Sequence, residues 1–104
     1  MADSTYGSGD FVYELVPEWA KLPDSWEFTQ VAAVAVDKDD NVYAFNRSEH
    51  PVIVFDREGN FIKSFGEGNF PNAHGMCFAN DGTLWLVDNG DHTAKRYTTD
   101  GEHL

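Results

Sequence analysis

Short apolar-rich runs, separated by turn residues, follow one another along most of the chain. The runs are Val31–Val36, Val42–Phe45, Val52–Phe55 and Phe61–Phe65, followed by Gly75–Phe78, Leu84–Val87 and Ala94–Tyr97. Alternation with a period of two, between turns rich in Asp, Asn and Gly, predicts short antiparallel strands. No segment combines helical spacing of apolar residues with capping residues. The pattern therefore predicts an all-β fold.

The chain resembles itself when it is shifted by 42 residues. Val34–Val36 then falls on Met76–Phe78, and Asn41–Asn46 falls on Thr83–Asp88, without a gap. His50 meets His92 and Gly59 meets Gly101 in the same register. Four antiparallel strands that recur every ~40–45 residues are typical of β-propeller blades. The sequence thus predicts two four-stranded antiparallel propeller blades.

The repeat divides the chain into four parts. We expect a disordered N-terminal tail over residues 1–10 and a closing outer strand with a crossing segment over residues 11–30. Residues 31–72 form the first predicted blade and residues 73–104 the second. The fourth strand of the second blade is incomplete in this prediction, and Phe11–Val16 of another chain is expected to supply it.

Two blades do not close a propeller, since closed rings have about 4–8 of them. Their radial faces would also leave a large apolar surface exposed to water. Three copies of a two-blade chain would make a closed six-blade ring with no open edge. The sequence therefore favours a homotrimer. The alternative is a truncated or engineered piece of a longer propeller.

Composition narrows the range of partners. The chain has 104 residues, with 7 Lys and Arg against 18 Asp and Glu, a formal net charge of −11 and a pI of about 4.4. Such acidity argues against nucleic acid and anionic membranes as partners. One cysteine excludes a disulfide framework within the chain and a Cys-rich metal cluster. The polar start of the chain is unlike a secretory signal, and no apolar run approaches the ~20 residues of a membrane span, so a cytoplasmic location is expected.

Four segments carry a family resemblance: Val31–Asp37, Asn41–His50, Pro51–Gly66 and Ala73–Met76. Together they resemble the NHL-repeat propellers, in the branch related to peptidyl-α-hydroxyglycine α-amidating lyase. The resemblance implies an axial zinc ion held by three histidines, the first of which matches His74. It also implies a catalytic arginine, matched by Arg47, and a structural calcium ion on backbone carbonyls, matched by Val34 and Met76. The other zinc histidines, the catalytic tyrosine and the calcium-binding aspartate of the family lie in blades beyond the two matched ones.

Strand order predicts where two of these residues lie. In a meander, the turn after the second strand and the turn before the next blade open on the same face, so Arg47 and His74 are expected on one face. In a trimer, three His74 imidazoles would converge on a threefold axis and leave a fourth zinc position open. Arg47 would bind a substrate carboxylate or balance an oxyanion. The alternative role for Arg47 is a salt bridge to Glu49 or Asp91.

Other residues that invite a functional interpretation are expected to be structural. His50 and His92 recur at one repeat position, which is typical of turn residues. Asp37–Asn41 lacks the Gly and Glu of a calcium-binding loop, so it is expected to be a turn. Cys77 is expected to be a buried thiol that faces a neighbouring blade.

Three functional hypotheses remain. The first is a metal-binding propeller unit with lyase-like chemistry. The second is a non-catalytic scaffold that binds a small-molecule, peptide or protein ligand. The third is a truncated or engineered propeller fragment without activity of its own.

Overall fold

The computed structural model describes residues 5–104, which form nine strands and no helix. The strands are β1 (Thr5–Ser8), β2 (Phe11–Glu14), β3 (Val31–Val36), β4 (Val42–Asn46), β5 (Val52–Phe55), β6 (Phe61–Phe65), β7 (Ala73–Phe78), β8 (Leu84–Asp88) and β9 (Thr93–Tyr97). The all-β prediction is confirmed. Over the same residues, no helix is long and apolar enough to cross a membrane.

Most of the strands form two antiparallel meanders. The first sheet has the order β3-β4-β5-β6 and the second has the order β7-β8-β9. Every run that the apolar pattern marked as a strand in residues 31–97 is a strand of one of these sheets. Antiparallel meanders of this kind are compatible with propeller blades.

The backbone repeats itself at the spacing found in the sequence. The equivalent hydrogen bonds run from Arg47 N to Gln30 O (3.0 Å) and from Asn89 N to Asn72 O (3.2 Å), and in the turns from Asp40 N to Asp37 O (3.2 Å) and from Gly82 N to Ala79 O (3.0 Å). Each first strand also contains a β-bulge, with Ala32 as the extra residue in β3 and His74 in β7. The 42-residue periodicity is therefore a property of the backbone as well as of the side chains.

The main core lies between the two sheets. One face of the first sheet, here called its inner face, packs against one face of the second sheet. The buried residues are Tyr43, Phe45, Val52, Val54 and Phe65 from the first sheet and Ala73, Leu84, Leu86 and Tyr97 from the second. Burial of these large side chains provides most of the stabilisation that two small sheets obtain.

A second, smaller core lies on the other face of the first sheet. Residues 17–30, here called the aromatic strap, cross this face, and Trp19, Leu22, Trp26 and Phe28 pack against Ala44, Ile53 and Phe55. A parallel β-bridge from Lys21 to Asn60 joins the start of the strap to the first sheet. The sequence predicted a crossing segment here. The structure places the aromatic side chains of this segment on one face of the first sheet of the same chain.

The N-terminal residues form a separate hairpin. β1 pairs antiparallel with β2 in the register Thr5 to Glu14. Both strands are exposed along their whole length. The sequence indicated a disordered tail over residues 1–10 and a strand over Phe11–Val16, whereas the structure has a strand from residue 5 and ends the second strand at Glu14. Residues 1–4 of the expected tail lie outside the described part of the chain.

Candidate ligand site around Arg47

Arg47 follows directly after β4 and connects three parts of the fold. Its backbone N–H and its Nη1 both donate to Gln30 of the strap, to the carbonyl oxygen at 3.0 Å and to Oε1 at 3.1 Å. Its Nε donates to the carbonyl oxygen of Ala73 at 2.8 Å. These bonds orient the guanidinium and leave Nη2 without a hydrogen-bond partner among residues 5–104.

Arg47 has no acidic partner in the described part of the chain. The sequence left open a salt bridge to Glu49 or Asp91, and the structure has neither. Asp91 is bonded to Lys95 instead, at 2.6 Å, and the hydrogen bonds from Lys95 and Thr93 lower the pKa of its carboxyl group. A half-buried guanidinium without a carboxylate partner can bind an anion from outside through its remaining N–H groups, those of Nη2.

Arg47 lines a cavity between the strap and the loop after β4. The cavity has a volume of about 560 Å³, which is within the size range of small-molecule sites. Its lining residues are Ser25, Trp26, Glu27, Thr29, Arg47, Ser48, Glu49 and His50. One wall is therefore aromatic and the rest polar.

The aromatic wall of the cavity is formed by two stacked rings. The Trp26 and His50 rings are stacked, with centroids 3.4 Å apart and an angle of 6° between the planes. On the far side of His50, its Nδ1 lies 3.1 Å from Glu67 Oε2. Burial acts to raise the pKa of Glu67, but hydrogen bonds from Ser64 and His50 outweigh it, so the pKa is lowered and the carboxylate stays charged. The His50 ring thus contacts both Trp26 and Glu67 and also lines the cavity, and its structural role stays a prediction.

His92, the repeat counterpart of His50, has a different environment. It is exposed and adopts a left-handed backbone conformation with φ of 59°. The shared repeat position therefore places both histidines in turns, but it does not give their rings the same role.

His74 is the extra residue of the β7 bulge, and its side chain is exposed. The Arg47–Ala73 hydrogen bond brings Arg47 to the residue that precedes His74. His74 does not line the Arg47 cavity. The structure thus connects the two predicted site residues through the backbone.

The predicted metal ligands are the His74 side chain for zinc and the backbone carbonyl groups of Val34 and Met76 for calcium. Among residues 5–104 of one chain, no group of three or more His, Cys, Asp or Glu is arranged to hold a metal ion. One imidazole alone does not form a zinc site. Val34 and Met76 lie on β3 and β7, the first strand of each sheet, and they occupy equivalent places after the bulge. Within the described sheets, both strands have one edge without a β-partner.

The Asp37–Asn41 segment is a turn, as the sequence indicated. Asp37 Oδ1 accepts hydrogen bonds from the backbone N–H groups of Asp39 and Asn41, and Oδ2 accepts from the Asn41 amide and the Tyr43 hydroxyl. Burial acts to raise the pKa of Asp37, but these bonds outweigh it and lower the pKa. Burial and the neighbouring Asp37 charge raise the pKa of Tyr43 to about 12.

Sequence reasoning missed Gln30 and Trp26 as parts of the site. Gln30 aligns with Asn72 in the repeat, and Asn72 also contacts the residue equivalent to Arg47, since its Nδ2 lies 2.5 Å from Asn89 Oδ1. The signal that could have identified Gln30 is the amide side chain shared by Gln30 and Asn72 at one repeat position. Trp26 lies in the strap, outside both repeats, and no periodicity pointed to its contact with His50.

Comparisons with known proteins give a restricted match. No protein-family model matches the chain. Among curated proteins, a probable peptidyl-alpha-hydroxyglycine alpha-amidating lyase from Caenorhabditis elegans is 30% identical, over 65% of this chain and 26% of the relative. This chain spans about a quarter of the length of that relative. The similarity is to the same class of lyase that the motifs resemble, and an all-β fold fits it.

Proposed function

We propose that this chain is an NHL-type propeller unit that carries part of a lyase-like active site, with Arg47 as the residue that binds the substrate. The observation that carries the proposal is the state of Arg47. In a chain with a net charge of −11, it has no acidic partner within residues 5–104, it is oriented by Gln30 and Ala73, and it lines a cavity. The similarity to an amidating lyase supports the reaction class.

The proposed substrate is a peptide that ends in α-hydroxyglycine. Arg47 binds its terminal carboxylate through the N–H groups of Nη2, which the bonds to Ala73 and Gln30 leave available. The reaction breaks the bond between the carbinol carbon and the amide nitrogen. The hydroxyl oxygen becomes the aldehyde oxygen of glyoxylate, and its proton is transferred to the nitrogen, which leaves as the peptide amide. Atoms and charges therefore balance without an oxidant.

Three copies form the proposed six-blade ring, in which residues 31–72 and 73–104 of each chain are the two blades. Phe11–Val16 of one chain supplies the fourth strand of the second sheet of its neighbour. The exposed strand β2 and the three-stranded second sheet support this pairing. Residues of the same chain already begin a fourth strand beside β9, through the bridge from Tyr97 to His103 and the bond from Leu104 N to Arg96 O at 2.8 Å, and the incoming strand continues it. Chain pairing at sheet edges is a common mode of association.

The proposed metal sites lie on the axis of this ring. Three exposed His74 side chains, one from each chain, supply three nitrogen ligands, which is the donor set of catalytic zinc. Zinc, when bound, would acidify the substrate hydroxyl. The carbonyl groups of Val34 and Met76 are the proposed calcium ligands, and calcium takes such oxygen donors.

Zinc content and turnover test this proposal. Purified chain is measured before and after treatment with a chelator, beside the His74→Ala variant and a His92→Ala control, which removes an exposed histidine elsewhere. We expect one zinc per three chains, lost in His74→Ala and kept in the control, together with glyoxylate release from a peptidyl-α-hydroxyglycine. A metal-free, inactive wild-type chain would refute the lyase proposal.

The second candidate is a non-catalytic propeller scaffold that binds a ligand or a protein. The cavity of about 560 Å³, with the Trp26–His50 stack as one wall, favours it. A small molecule bound there without turnover, and equally well with and without chelator, would distinguish this function from the first.

A further inference from the structure

Of the four faces of the two meander sheets, the outer face of the second sheet is the one that the two cores leave uncovered. This face carries Gly75, Cys77, Trp85, Val87, Ala94 and Arg96, which the strand register places on one side. Trp85 is 38% exposed and Val87 is 42% exposed. Cys77, which the sequence predicted to be buried, is also exposed. Trp85 and Val87 thus form a partly exposed apolar pair beside the Cys77 thiol.

The 42-residue repeat shows what kind of surface this is. The outer face of the second sheet is the counterpart of the inner face of the first sheet, with Cys77, Trp85 and Val87 in the places of Ala35, Tyr43 and Phe45. In this chain, that inner face packs against the second sheet. The outer face of the second sheet is thus equivalent, by the repeat, to a face that packs against another sheet within the chain.

The matching surface is also present, and the strap covers it. The strap side of the first sheet is the counterpart of the second-sheet face that lies in the main core, with Ala44 and Phe55 in the places of Leu86 and Tyr97. Trp19, Leu22, Trp26 and Phe28 of the strap pack on it. One chain therefore carries both halves of a sheet-to-sheet interface, one uncovered and one covered by its own strap.

We infer that the outer face of the second sheet binds the strap side of the first sheet in a second copy of the chain, and that the aromatic strap must leave that side first. The occupant is a second copy because the contact continues the interface seen within the chain, in head-to-tail order. The strap then acts as an internal competitor that controls assembly, and its release also opens the Arg47 cavity, because Trp26 of the strap forms one wall of it. This inference rests on the proposed assembly of several copies, but on neither zinc nor lyase activity.

The attachment of the strap is suited to release. At its end, Gln30 accepts two hydrogen bonds from Arg47. At its start, the strap is held by Lys21 N to Gly59 O at 2.9 Å, Trp19 Nε1 to Arg57 O at 3.2 Å and Lys21 Nζ to Glu58 O at 2.7 Å. The three acceptors at its start lie in the one turn between β5 and β6. Segments with few backbone hydrogen bonds open at lower free energy than sheet strands do.

Gly59 offers a way to release the strap without removing core atoms. A Cβ at this position would lie 1.8 Å from the carbonyl oxygen of Trp19, so Gly59→Ala pushes the strap away. Gly82→Ala is the matched control, because Gly82 has nearly the same φ, 85° against 87°, and its Cβ would meet nothing within 4 Å. The control therefore contains the backbone strain without the collision.

Trypsin cleavage after Lys21 reports release of the strap, because Lys21 is hydrogen-bonded to Gly59 and Glu58 while the strap is in place.

Cys77 reports coverage of the outer face, because it is the one cysteine of the sequence and lies on that face. We measure its labelling rate with a thiol reagent over a range of protein concentrations, together with the molar mass in solution. In Gly59→Ala, only chains that are not assembled have an accessible Cys77. At a concentration where about four-fifths of the chains are assembled, Cys77 labelling should therefore be about fivefold slower than in the free chain. The molar mass should rise over the same concentrations. In the wild type and in Gly82→Ala, the labelling of Cys77 should slow less at the same concentrations.

A second substitution tests the face itself. Val87→Glu, added to Gly59→Ala, should restore fast labelling and the mass of one chain, whereas Ile62→Glu, at an equally exposed apolar position (45%), should not. If Gly59→Ala leaves Lys21 resistant to trypsin or unfolds the chain, the double variant Trp19→Ala, Leu22→Ala replaces it. A folded variant with a released strap that stays monomeric, with fast Cys77 labelling at every concentration, overturns the inference. A wild-type trimer insensitive to strap release would overturn it as well, while leaving the proposed ring intact.

Discussion

Arg47 is bonded to the carbonyl oxygen of Ala73, 26 residues further along the chain, through its Nε at 2.8 Å. This bond joins the end of β4 to the start of β7, directly before the bulge at His74. Arg47 therefore has two roles that can be separated by experiment. It connects the two sheets, and it presents the rest of its guanidinium to the cavity.

Arg47→Lys should destabilise the fold although the charge is kept. A single ammonium group cannot reproduce the planar fork that reaches both Ala73 and Gln30, so we expect the free energy of unfolding to fall by about 1–2 kcal/mol. Urea denaturation followed by tryptophan fluorescence measures it. Arg57→Lys is the control, because Arg57 is exposed and lies 3.6 Å from its partner Asp40. Equal stability of the two variants would contradict the connecting role.

Leu86→Ala should be among the most destabilising substitutions in the second sheet. The Leu86 side chain is fully buried between the sheets, and removing such a side chain typically costs about 2–5 kcal/mol. Val87→Ala, one residue away on the outer face, should cost less than about 1 kcal/mol. Thermal unfolding of the monomer compares the two. A similar loss in both variants would mean that the outer face is already covered.

Asn46 and Asp88 occupy the same repeat position and are buried. Oδ1 of each accepts from the backbone N–H two residues further on, that of Ser48 at 2.9 Å and that of Gly90 at 2.7 Å, whereas their other polar atoms bond in opposite senses. The Asn46 amide donates to the carbonyl oxygens of His50 and Pro51, at 2.9 and 3.1 Å. The Asp88 carboxylate accepts from backbone N–H groups, among them that of Asn72 at 2.8 Å.

Asn46→Asp should therefore lower the free energy of unfolding by more than about 2 kcal/mol, because it sets a buried carboxylate against two carbonyl oxygens. Asp88→Asn should also destabilise, since one acceptor oxygen becomes a donor that faces the Asn72 N–H. Denaturant midpoints of the two variants test both expectations. An Asn46→Asp variant as stable as wild type at neutral pH would show that these bonds do not hold the turn.

Acid should weaken the turn at Asp37. Its pKa is lowered in the folded chain, so its contribution to stability is present above the ordinary pKa of an aspartate and is lost as the pH falls through the lowered value. Asp37→Asn should make the chain less stable at pH 7 and reduce the dependence of the denaturation midpoint on pH below about 5. An unchanged acid dependence would assign the effect to other carboxylates.

Alkaline pH should act on Tyr43. Its pKa is raised from 10.0 to about 12, so the neutral hydroxyl stabilises the fold fully below pH 10, and this contribution is lost as the pH rises towards 12. Absorbance at a wavelength specific for tyrosinate should show one of the four tyrosines ionising last. Tyr43→Phe should remove that late step. Four tyrosines with the same apparent pKa in the folded chain would contradict the burial of this hydroxyl.

Much of the fold could be predicted because its signals are local. The strands of both sheets follow from alternation, and the turns follow from residues that tolerate positive φ, such as Gly59 and Gly101 in equivalent places. The candidate site was only partly predictable. Arg47 and His74 were singled out, and the connection between them through Ala73 depends on a contact between distant parts of the chain.

The sequence by itself determined the all-β fold, the strand positions and the 42-residue repeat, because period-two alternation and turn chemistry act over a few neighbouring residues. Only the tertiary structure decided that the strap lies on the first sheet, that Cys77 is exposed, and that Gln30 and Ala73 are the partners of Arg47. These features depend on which surfaces meet across tens of residues. The physical reason is that the hydrophobic effect favours any apolar contact. Which segments pack against each other is therefore decided by their shape and by hydrogen bonding in three dimensions.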